Sequence, residues 1–205
     1  MLNLKKLIPC FLVFLLIGCE TNPIRDNLLV EIAQGVSIEL MPVQSTDNEL
    51  MVLQDVIGKY DKKEYRFISQ MELHKDAFVV VGVSPVGKRL FSIELKNGVL
   101  HSEVSELMPE NFNPAYVMAD IQLAHWPVES VKNSLRGGDI KVVEVSDLKN
   151  NSKNKPKRLR QIWHNGKKII EVEYQNADRW SSLVIYEHIE RAYSVTSRML
   201  ETSKL

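Results

Sequence analysis

The most chemically specified residue of the chain is Cys19. It closes the run Leu16-Ile17-Gly18-Cys19, which follows a short apolar stretch at 7–17 and the two lysines Lys5 and Lys6. Cationic start, short apolar core and small residue before the cut form the order of a secretory signal. The apolar run is shorter than the roughly 20 residues a membrane-spanning helix needs. The four residues are those of a bacterial lipobox. In such a motif the small Gly18 is expected to open the peptide bond to the signal peptidase, and the Cys19 sulfur is expected to carry a diacylglycerol as a thioether. Residues 1–18 are therefore expected to be a lipoprotein signal peptide, 19–27 a lipidated N-terminus and tether, and 28–205 a single domain. Cys10 leaves with the signal, so no free thiol remains, which suits an oxidising periplasm. Glu20 rather than Asp follows the cysteine, which places the expected lipid anchor in the outer membrane, on its periplasmic face.

Other reactive side chains show no such order. The five histidines, His74, His101, His125, His164 and His188, include no pair at metal-ligand spacing. His125 lies five residues after Asp120, so the two would not share a helix face. No nucleophile elbow, phosphate loop or dinucleotide fingerprint occurs. No catalytic residue, metal or cofactor is expected. With 26 Lys+Arg against 26 Asp+Glu, nothing draws the chain toward nucleic acid. A local basic cluster at 149–160, ending in Arg158 and Arg160, reads as a solvated loop or as a contact for anionic lipid headgroups. Trp126, Trp163 and Trp180 read as core aromatics or as walls of a ligand cavity.

The elements that would position a site are mostly strands. Tyr65, Phe67, Met71 and Leu73 alternate with polar neighbours, the period of a half-buried strand. Residues 77–83 form a continuous apolar run. Phe91, Ile93 and Leu95 alternate again. Asn97-Gly98 and Asn165-Gly166 each predict a tight hairpin turn, because both central residues need positive φ. Further strands are expected at 99–104, 158–164, 167–174, 182–188 and 192–199. One helical interruption stands between them. Asn113-Pro114 predicts a helix start, with Val117, Ile121 and Ala124 on one face. Pro127 ends that helix and opens a second, which Gly137-Gly138 is expected to cap. The fold class expected is mainly β (α+β): a curved antiparallel sheet, an unclosed barrel, with two short helices packed on its concave side.

Three stretches carry a resemblance. Residues 79–90, an apolar strand followed by Ser84-Pro85-Val86-Gly87, resemble the strand and Pro-Leu-Gly loop of the LolB family of outer-membrane lipoprotein receptors. Val86 stands where that family exposes a leucine. Residues 125–138 resemble its proline-started helix, and 161–168 its Asn-Gly hairpin. The stretch 116–127 is similar to uncharacterised lipoproteins found beside aryl-polyene biosynthesis enzymes. The resemblance implies a LolA/LolB-like fold and a lipid-like cargo: an aryl-polyene lipid, a glycolipid or lipoprotein acyl chains. It also implies a membrane-contact loop at Pro85, Val86 and Gly87, and a LolA-like periplasmic carrier or an exporter as partner.

From the alternation, Phe67, Met71, Val79, Val81, Phe91, Ile93 and Val172 are expected to line an apolar ligand cavity. The expected function is binding or transfer of hydrophobic cargo, without enzymatic activity. Two alternatives stand beside it: an envelope scaffold or accessory subunit of an export system, and a hydrolase or acyltransferase of envelope lipids.

Overall fold

Two-residue turns set the register of a long antiparallel sheet. The computed structural model describes residues 28–42, 49–146, 158–176, 178–180 and 183–205. The signal peptide, Cys19, the tether and the basic stretch 149–157 lie outside the described residues. The strands are β1 (Leu29–Ala33), β2 (Val36–Glu39), β3 (Leu50–Tyr60), β4 (Lys63–Leu73), β5 (Ala77–Val83), β6 (Arg89–Lys96) and β7 (Val99–Val104). After the helices α1 (Pro114–His125) and α2 (Val128–Ser134) come β8 (Leu135–Arg136), β9 (Ile140–Ser146), β10 (Arg158–His164), β11 (Lys167–Tyr174), β12 (Leu183–His188) and β13 (Tyr193–Lys204). Ten strands form one antiparallel sheet in the order β7-β6-β5-β4-β3-β13-β12-β11-β10-β9, open between β7 and β9. A second sheet, β1-β2-β8, has three strands.

Both Asn-Gly pairs sit at hairpin turns with positive φ at each residue: 51° and 72° at Asn97-Gly98, 48° and 72° at Asn165-Gly166. Lys96 pairs with Val99 and His164 with Lys167 across them. A third such turn, Asp61-Lys62, holds φ of 46° and 62° without glycine. Among the described residues, no helix is long and apolar enough to cross a membrane.

One face of the ten-stranded sheet carries the core and both helices. Met71 and Leu73 of β4, Phe91 and Ile93 of β6, and Ile170, Val172 and Tyr174 of β11 are buried there. The register decides the parity of β5. Val80 pairs with Ile93 and Phe78 with Leu95, so Phe78, Val80 and Gly82 share the inward face. Val79 and Val81, expected inside, lie on the other face and are only half-buried. A fully apolar run gives no alternation to choose between the two parities.

Helix α1 starts as expected. Asn113 caps it, its side chain accepting a hydrogen bond from the Ala115 N–H at 2.9 Å, with Pro114 in the first turn. Its other end is closed by the sheet. The Arg160 guanidinium, fully buried on β10, donates to the carbonyls of Leu123 (2.5 Å) and Trp126 (2.8 Å). The Tyr174 hydroxyl donates to the Ala124 carbonyl. These are carbonyls that a helix end leaves without intrahelical partners. Arg160 is thus no part of a solvated basic loop. Its Nε donates to Glu144 at 2.7 Å, and Arg158 and Arg179 flank the same carboxylate at 3.3 Å.

Helix α2 ends earlier than the glycines suggest. The Leu135 N–H bonds to the Val131 carbonyl, and Leu135-Arg136 then pair with Ile38 and Ser37 of β2. Gly137 serves a close approach instead: at φ 141°, a Cβ there would lie 2.5 Å from the Gly35 carbonyl oxygen. The β1–β2 hairpin is clamped to α1. The Gln122 side chain makes two 2.9 Å hydrogen bonds with the Met41 backbone, accepting from its N–H and donating to its carbonyl.

Breaking a buried ion pair on one side costs about 3–5 kcal/mol. Arg160→Met should therefore lower stability by that order in urea unfolding, since it also strips two carbonyls of their donor. A loss under about 1 kcal/mol would show that α1 is held by other contacts.

Candidate functional site

Between α1 and the central strands β3, β4 and β13 lies a cavity of about 120 Å³. Val117, Ile121 and Ala124, the expected apolar face of α1, form its roof together with Asp120 and His125. Phe67, Met71 and Phe91 line it from the sheet, as do Val56, Val184 and Val195. The other expected lining residues lie elsewhere. Ile93 and Val172 are buried in the packed core beyond the cavity, and Val79 and Val81 point away from it.

A wider groove of about 560 Å³ adjoins the cavity and shares Phe67, Val117, Asp120 and Val195 with it. Tyr60, Tyr65, Met108, Phe112, Tyr116 and Arg191 continue its walls. Phe91 meets Phe67 edge-on at 5.6 Å and Phe112 at 5.1 Å. Gly82 makes that arrangement possible: a Cβ there would lie 2.4 Å from the Phe91 ring.

The Ser84-Pro85-Val86-Gly87 turn is tight. The Gly87 N–H donates to the Ser84 carbonyl at 2.9 Å, with Gly87 at φ 80°. Val86 is 82% exposed, more than any other large apolar residue described. Val83 pairs with Ile68, so the tip lies at the same end of the sheet as the β3–β4 turn, beside which Tyr60 and Tyr65 line the groove.

The tryptophans are core or surface residues. Trp126 packs on Phe78 at 5.2 Å, Trp180 stacks on His125 at 4.3 Å, and Trp163 borders a surface pocket.

Sequence spacing missed one grouping. Asp120 and His125, five positions apart, border the same cavity, which also holds Ser69 and Ser197. Among the described residues no hydrogen bond joins Asp120 to His125. The Asp120 carboxylate accepts hydrogen bonds from the hydroxyls of Tyr186 (2.7 Å) and Tyr193 (2.6 Å), and the buried His125 Nδ1 has no partner among the described residues. Among the described residues, no three His, Cys, Asp or Glu side chains gather as metal ligands.

Burial pushes the Asp120 carboxyl up to about 6, against the two tyrosine hydrogen bonds and the nearby Arg191, which pull it down. Burial pushes His125 down to about 3, assisted by Arg160, and His188 down to about 4, assisted by Arg191. The signs oppose. A raised acid lowers stability above its folded pKa and ceases to do so below its ordinary value of 3.8. A depressed base lowers stability as pH falls below its ordinary value of 6.5. Two histidines outweigh one carboxyl, so stability should fall from pH 7 to 4.5. Asp120→Asn removes the opposing contribution and should steepen that loss by roughly 1–2 kcal/mol. Thermal unfolding across this range checks it; a variant with a shallower loss than the wild type contradicts the assignment.

No curated protein matches the sequence. Among solved structures, the chain is similar to a LolA superfamily protein from Nitrosomonas europaea, at 12% identity and a TM-score of 0.40, over 78% of this chain and 88% of that one. A family model matches residues 51–201, a span that contains every residue lining the cavity. The chain belongs to that family, described as protein of unknown function DUF3261.

Proposed function

We propose that the chain is a lipid-anchored lipoprotein that binds, or hands on, a hydrophobic lipid-like cargo at the periplasmic face of the outer membrane. The observation that carries this reading is the apolar cavity roofed by α1 and continuous with the aromatic groove. Each methylene moved from water into such a site contributes about 0.8 kcal/mol. An alkyl or polyene chain therefore needs few polar contacts to be held. The cavity alone is smaller than a typical ligand pocket of about 300–1,000 Å³, so the chain would lie in the groove with one end in the cavity.

The exposed Val86 tip stands at the end of the sheet where the groove residues Tyr60 and Tyr65 lie. It would touch the membrane during delivery, while Pro85 and Gly87 hold its turn. A single valine contributes at most about 1.5–3 kcal/mol on full burial, enough for a brief contact but not for anchorage. The anchor would be the acylated Cys19, and the cargo would arrive from a LolA-like carrier or an exporter. No enzymatic step enters this reading: among the described residues, the serines, His125 and Asp120 of the cavity are not joined in a relay.

The purified protein should bind the apolar fluorophore N-phenyl-1-naphthylamine with an increase in emission. Val117→Trp, which fills the junction of cavity and groove, should weaken that binding at least about tenfold, equal to about 1.4 kcal/mol, with the circular dichroism unchanged. Absence of binding by the wild type would overturn the cargo reading.

The anchor is tested separately. Cys19→Ser should abolish palmitate incorporation and release the protein from membranes. Labelling that survives the substitution would remove Cys19 from the proposal.

A further inference from the structure

The cavity under α1 is not uniformly apolar. Strand β3 turns Val52, Gln54 and Val56 inward, and the middle one is an amide. Gln54 pairs in register with Ser69 of β4, and Ser197 of the neighbouring β13 pairs with Val56. Three adjacent central strands thus place polar side chains on the inward face, all of them bordering the cavity. Gln54 is 4% exposed, and its Nε2 has no hydrogen-bond partner among the described residues. His125, 5% exposed, lines the same cavity, and its Nδ1 has no partner among the described residues. Two polar atoms without a partner, on residues that line one small space, destabilise the protein while nothing pairs with them.

We infer that the cavity receives the uncharged hydrogen-bonding end of an otherwise apolar chain, a hydroxyl or a carbonyl, which enters head first. This deepens the cargo reading above and rests on it. The amide N–H groups of Gln54 need an acceptor, which a hydroxyl or carbonyl oxygen supplies. A hydroxyl can also donate to or accept from the His125 ring, whichever its tautomer requires. Charge selects against an acid. Among the described residues Asp120 is the only charged side chain of the lining and is itself an anion, whereas the cations Arg191 and Lys59 border only the outer groove. A carboxylate or phosphate end inside the cavity would face the Asp120 carboxylate, while Arg191, whose charge acts on that carboxylate, stands on the outer-groove side. A bare alkyl end would leave Gln54 and His125 unmatched. At roughly 30 Å³ per molecule, about four waters could instead fill the space, so water is the competing occupant.

The test compares three probes on the purified protein, 1-decanol, decanoate and decane, each displacing N-phenyl-1-naphthylamine. At pH 8, 1-decanol should bind at least tenfold more tightly than decanoate. Gln54→Met should weaken 1-decanol by about tenfold, the order expected for one buried hydrogen bond, and leave decane unchanged or tighter. Decanoate binding as tightly as 1-decanol would mean that the chain enters tail first, and would overturn the inference. So would a Gln54→Met effect that is the same for 1-decanol and decane, which would leave the two orphaned atoms to water. If Gln54→Met does not fold, His125→Phe makes the same comparison, and the decanol-to-decanoate ratio needs no variant. Should none of the probes displace the fluorophore, the cargo reading fails as well. Decane binding without any preference for decanol removes only the head-first assignment.

Discussion

Everything in the interior depends on how the carbonyl end of α1 is closed. A helix laid across a sheet brings its last carbonyls into a place where water cannot serve them. Here a buried guanidinium does so, held in turn by Glu144, while Tyr174 takes a third carbonyl. A cation at that end also matches the negative pole of the helix. With its C-terminal end fixed to β10 and β11, and Gln122 fixed to the backbone at Met41, the helix cannot slide over the strands beneath it. The space under Val117, Ile121 and Ala124 therefore has a definite size and a definite wall.

Much of this frame was legible in residue order, for reasons that are local. Hairpins announced themselves because Asn-Gly satisfies a backbone demand that few other pairs meet, and Asn113-Pro114 marked a helix start for the same kind of reason. Phe67, Met71 and Phe91 could be placed on the cavity because polar neighbours alternate with them. Val79 and Val81 could not: in a run that is apolar on both faces, only the pairing with β6 decides which face turns inward, and that pairing is not local. The same limit applies to Arg160. Beside Arg158 and a stretch of lysines it reads as part of a wet cationic loop, and only the tertiary partners Glu144 and α1 show why a charge stands in the core. Asp120 and His125 met on one cavity because a wall can be shared by side chains that do not lie on one helix stripe.

The N-terminal hairpin β1–β2 had no local signal. Its strands are short, and its role is volumetric. Val30, Ile32, Val36 and Ile38 are buried and occupy interior space that the large sheet would otherwise leave open. Gly35 and Gly137 approach each other where this hairpin meets the segment after α2, so backbone rather than side chains closes that corner. The result is a large sheet enclosing only a small void, with its more generous volume displaced outward into the groove.

The gap between β7 and β9 gives that small void a different meaning. In a closed barrel, strand number and shear fix the circumference, and the lumen cannot grow without breaking ladder hydrogen bonds. This sheet ends in two separate margins, so its radius of curvature is not tied to its hydrogen-bond count. Flattening it slightly would swell the interior while every rung from β7 to β9 stayed intact. The volume of the interior is thus set by the side chains and the helix that fill it, not by the number of strands.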